Sequence, residues 1–78
     1  MDLGFRYWIE SKYSKRISSN ICSRLKRAEK IAGVSLVKNS LAFKEYVSNN
    51  PEWQAIPENS RTGILRAVHL YSQYLASK

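Results

Sequence analysis

The longest unbroken amphipathic pattern in the chain runs from Ser14 to Gly33, SKRISSNICSRLKRAEKIAG, with apolar side chains at Ile17, Ile21, Leu25, Ala28 and Ala32. That spacing follows the 3.6-residue period of one helix face. Arg16, Asn20, Ser23, Arg24, Arg27 and Lys30 form a second stripe, turned from the first by roughly a third of a turn or more at about 100° per residue. Ser14 is placed to cap the start, Gly33 to end the helix in a left-handed conformation, and Lys30 to meet the negative end of the helix dipole. One face can pack while the other offers cations.

Three shorter patterns surround it. Leu3 to Ser11 reads as a first helix, in which Phe5, Trp8 and Ile9 stand at i, i+3, i+4 and Leu3 and Tyr7 add further apolar surface; it is expected to be short and well buried. After Gly33, VSLVKNS fits either a short extended link or a first helical turn, with Ser35 and Ser40 as possible caps. Leu41, Ala42, Phe43, Tyr46 and Val47 then predict a third helix that stops near Asn49, because the residue before Pro51 favours extended geometry. Trp53 and Ile56, in a connector bracketed by two prolines, are expected to plug the end of the core. From a cap at Asn59 or Ser60, Ile64, Ala67, Val68, Tyr71, Tyr74 and Leu75 repeat at helical spacing and predict the last helix. Gly63, in its first turns, suggests a close approach of the neighbouring helix. With no internal repeat and no convincing strand, these elements predict an all-α fold, a small four-helix orthogonal bundle.

Length and composition narrow the function. Seventy-eight residues make a single domain, 1–78, too small for a roomy cleft between subdomains. The opening MDLGFRYWIESK lacks the pattern of a secretory leader, and no apolar run is long enough to span a membrane, so a cytoplasmic, nucleoid-associated protein is expected. Cys22 is the only cysteine and His69 the only histidine, which leaves neither an internal disulfide nor a structural zinc site, and no cofactor is expected. Glycine-rich phosphate loops, paired His ligands and a nucleophile elbow are missing. Cys22 lies beside the apolar stripe and reads as a buried structural thiol, so the chain is expected not to be an enzyme.

Charge points the other way, toward a partner. Thirteen basic residues face six acidic ones, with eight bases against three acids in residues 1–33 and five against three thereafter. Such asymmetry favours a polyanion, duplex DNA before an anionic membrane. Arg16, Asn20, Arg24 and Arg27 span about 16 Å of helix, enough to follow a groove, with Arg and Lys neutralising phosphates and short polar side chains donating to them. A solvated basic face without a ligand would show the same periodicity.

The order of FRYWIESK, a linking YS, the basic SKRISSNICSRLKRAEKIAG and a last helix containing RAVHLYSQYL resembles the N-terminal core-binding, SAM-like domain of phage integrases and other tyrosine recombinases. Ala67, Val68, Tyr71, Tyr74 and Leu75 match the last-helix pattern of that group. The resemblance implies a helical bundle that grips double-stranded DNA through its second and fourth helices in DNA recombination or integration. It nominates Lys15, Arg16, Asn20 and Arg24 on the second helix and Ser60, Arg61 and Arg66 on the fourth; Arg27 joins them from the charge pattern. Ile17 stands where that family often has Thr, and the catalytic Arg, His-x-x-Arg and Tyr nucleophile are absent, so a separate catalytic domain or other subunits are implied partners. A helical protein–protein interaction or self-association domain is the alternative, supported by an aromatic surplus that includes Tyr13, Trp53 and Tyr74.

Overall fold

The computed structural model describes residues 4–33, 36 and 42–77, and within them the chain is all-α. Five helices follow in order: α1 Gly4–Glu10, α2 Lys15–Ala32, α3 Phe43–Val47, α4 Pro51–Ala55 and α5 Glu58–Ala76. Leu3, the possible caps Ser35 and Ser40, Leu41 and most of VSLVKNS lie outside the described residues.

The limits of α2 are the ones its sequence predicts. Ser14 Oγ accepts from the Ile17 amide at 3.3 Å, and Gly33 takes φ 72° while its amide donates to the Glu29 carbonyl. Only the rotation of the helix differs. Ile17, expected in the core, is 47% exposed, whereas Ser18 is fully buried together with Ile21, Cys22, Leu25, Ala28 and Ile31. Adjacent apolar pairs such as Ile21–Cys22 and Ile31–Ala32 leave the buried face free to rotate by one residue. Packing of α1 against α2 draws Ser18 and Cys22 inward and leaves Ile17 on the other flank.

Four helices were expected where five stand among the described residues, because Asn50 and Pro51 do more than stop a helix. Asn50 is extended, φ −83° and ψ 122°, as a residue before proline must be. Its Oδ1 then accepts from the amides of Glu52 at 2.8 Å and Trp53 at 3.3 Å, and Pro51 occupies the first helical position, where its fixed φ suits a helix. The bracketed connector is therefore a helical turn, α4. Trp53 and Ile56 are buried as the sequence predicts, with Trp53 edge-on to Phe43 at 5.5 Å between ring centroids.

The last helix starts at Glu58, behind Pro57, slightly ahead of the expected caps Asn59 and Ser60, which sit exposed in its first turn. Its buried face is Ile64, Ala67, Val68, Leu70, Tyr71 and Tyr74. α2 and α5 share the most extensive contact, and α1 closes against both. Phe5 meets Tyr71 at 5.0 Å and Tyr74 at 5.6 Å, both edge-to-face. On α1, Phe5 and Ile9 are fully buried, while Tyr7, expected to be covered, is 79% exposed, because two residues rotate it about 200° from Phe5. No helix among the described residues is long and apolar enough to cross a membrane.

Candidate nucleic-acid interface

Gly63 makes the junction of α2 and α5. A Cβ built there would stand 3.2 Å from Arg24 Nε and 3.3 Å from its Cζ, so the missing side chain lets the Arg24 guanidinium rest on α5. The close approach anticipated at Gly63 is thus made by a side chain. Arg24 lines two clefts. One, of about 220 Å³, is lined by Arg24, Arg27, Asn59, Ser60, Gly63 and Ile64. The other, of about 160 Å³, lies among Tyr13, Ile17, Arg24, Gly63 and Arg66. Sharing Arg24 and Gly63, they form one groove between the two helices.

Of the residues nominated from sequence, Arg24, Arg27, Ser60 and Arg66 therefore meet along this groove. Arg16 and Asn20 are exposed on the outer face of α2, in the helical register that continues to Arg24 and Arg27. Lys15 is not with them. Nine residues turn it about 180° from Arg24, onto the flank where Ser19 accepts a hydrogen bond from Arg6 of α1 at 3.2 Å. Arg61 is also apart: it lines a hollow with Lys44, Trp53 and Glu58 on the other side of α5. Sequence reasoning missed Tyr13 and Ile17 as groove-lining residues. An aliphatic in register with the apolar stripe gives no signal that it stands in a basic groove.

The groove keeps its charge. Glu29, the only carboxylate of α2, accepts from the Leu36 amide at 3.1 Å, and the one ion pair among the described residues, Arg6 Nε to Glu10 Oε1 at 3.6 Å, lies on α1. α5 starts without a side-chain cap and carries the Glu58 carboxylate in its first turn, which offsets the partial positive charge of its first amides at the end where Asn59 and Ser60 line the cleft, so the charge of the groove rests on its arginines. The arrangement suits anionic oxygens spaced along a backbone, with Arg24 lying against α5 and Arg27 and Arg66 on either side.

Cys22 and His69 do not come together as a catalytic pair would require. Cys22 is buried, with its thiol pushed above the ordinary value of 9.0, first by burial. His69 is exposed on α5, 3.2 Å from Gln73 Nε2. Comparison of the chain with protein-family models, with curated proteins and with solved structures finds no match to any of them.

Proposed function

We propose that the chain is a non-enzymatic DNA-binding module that grips duplex DNA by its phosphates along the α2–α5 groove. The observation that carries this reading is the convergence of Arg24 and Arg27 from α2 with Ser60 and Arg66 from α5 in one groove. Arg16 and Asn20 extend it along the outer face of α2. The reading is also supported by the resemblance to the core-binding domain of tyrosine recombinases, which uses the corresponding two helices. On that reading the bundle is of the SAM-like type, with α3 and α4 filling the span between the two DNA-facing helices. Arg61 belongs to another surface and Lys15 to the α1 flank, so neither is part of the grip.

Affinity for a generic duplex should fall steeply with salt, with log K against log[salt] sloping by about −0.9 for each phosphate neutralised. Reversing charge at Arg24 and Arg27 together should weaken binding by at least about tenfold and flatten the slope by about two phosphates. Lys15→Glu should change affinity far less, and helical circular dichroism should be retained in all variants. Binding indifferent to salt, or equally weakened by Lys15→Glu, overturns the assignment of the face.

A further inference from the structure

Ile17 is the only large aliphatic among the described residues that stands open to solvent, 47% exposed, and it does so among cations. It shares a cleft with Tyr13, Arg24 and Arg66, and no carboxylate lines that cleft. Its place on α2 follows from the helical register. Seven residues, close to two full turns, separate Ile17 from Arg24, so the two lie within about 20° of each other around the axis. Asn20, also exposed, stands about 60° round from Ile17 and about 4.5 Å further along. Arg16, Ile17, Asn20, Arg24 and Arg27 together occupy an arc of about 100°. A duplex laid against the arginines of this arc therefore meets Ile17 and Asn20 as well.

The groups that those two side chains meet are set by which groove α2 can enter. A helix of about 10–12 Å diameter fits the major groove, about 12 Å wide, and not the minor groove, about 6 Å wide. In the major groove the base edges present donors and acceptors, and the one apolar group is the C5 methyl of thymine. An aliphatic side chain gains by covering that methyl and loses by covering a donor or an acceptor. The carboxamide of Asn20 sets one acceptor beside its donors, which matches N6 and N7 of adenine. Two side chains of unlike chemistry thus select the same kind of base pair. Their separation along the helix, about 4.5 Å, is close to the 3.4 Å between stacked pairs, so they fall on one pair or on neighbours.

We propose that α2 reads A·T pairs in the major groove, with Ile17 against a thymine methyl and Asn20 bonded to an adenine edge, while Arg24, Arg27 and Arg66 hold the flanking phosphates. This inference rests on the DNA reading above and adds a base preference to it. A second copy of this chain fits poorly on the same face, because the matching face carries the same arginines and like charges would meet.

The test is a fluorescence anisotropy titration of the full chain with three short duplexes of equal length at one salt concentration. One is alternating A·T, the second is the same with deoxyuridine for thymine, which removes the methyl and keeps the pairing, and the third is alternating G·C. The A·T duplex should bind tightest, the deoxyuridine duplex about threefold weaker and the G·C duplex about tenfold weaker. Ile17→Ala should bind the thymine and deoxyuridine duplexes alike, and Asn20→Ala should shrink the preference for A·T over G·C to about threefold. Both variants should keep the salt slope of the parent, since neither residue is charged, and both should keep its helical circular dichroism. Equal, salt-dependent affinity for all three duplexes, or a thymine–deoxyuridine difference that persists in Ile17→Ala, overturns the base reading and leaves the phosphate grip standing. Absence of binding to any duplex overturns both.

Discussion

Two glycines adjoin the same groove-forming helices for opposite reasons. Gly33 holds φ 72° with open space where a Cβ would stand, so its conformation, not crowding, excludes other residues. Gly63 has helical backbone and a crowded Cβ site, but the crowding atoms belong to the exposed, flexible Arg24 side chain. Gly33→Ala should therefore destabilise by about 1 kcal/mol. Gly63→Ala should stabilise by up to about 1 kcal/mol through helix propensity, with the guanidinium moving aside. Urea denaturation of the pair separates the two. Ser18 is a third residue whose role shows only in three dimensions. Its hydroxyl is buried without a hydrogen-bond partner, a desolvation cost with no return. Ser18→Ala should be neutral or raise stability by up to about 1 kcal/mol in the same assay.

Element boundaries were readable where one residue decides them. Ser14 and Gly33 bound α2 by side-chain and backbone chemistry that needs no tertiary context. The stripe Ile64, Ala67, Val68, Tyr71 and Tyr74 fixed the face of α5 because it is long and uninterrupted. The rotation of α2 was not readable, since Ile17 and Ser18 exchange places only once α1 docks. Nor was α4, because Asn-Pro reads equally as an end and a beginning. Half of the candidate site was legible as a charge stripe, whereas the separation of Lys15 and Arg61 from it depends on which helices flank α2 and α5. Asn50 shows how a short element is secured: besides capping α4, its Nδ2 donates to the Ile31 carbonyl of α2 at 2.9 Å. Asn50→Ala loses cap and cross-link together and should cost about 1–3 kcal/mol. A matched Asn50→Asp variant keeps the cap and loses the donor, and should fall between the two.

At the scale of the molecule, α2 and α5 form a spine. The groove between them gathers Arg24, Arg27, Ser60 and Arg66. The core that supports both is tied at separate places by aromatic pairs. Trp8 lies 5.6 Å from Tyr74 where the first and last helices meet, and Trp53 lies 5.5 Å from Phe43 where the short helices meet. Since these are the only two tryptophans, the chain carries an intrinsic optical reporter for each junction. Replacing either indole by Phe leaves the other to be followed alone. Coincident midpoints for the two single-tryptophan proteins would mark an all-or-none transition. An earlier loss of Trp53 emission would instead identify α3 and α4 as a unit that opens while the spine stays closed.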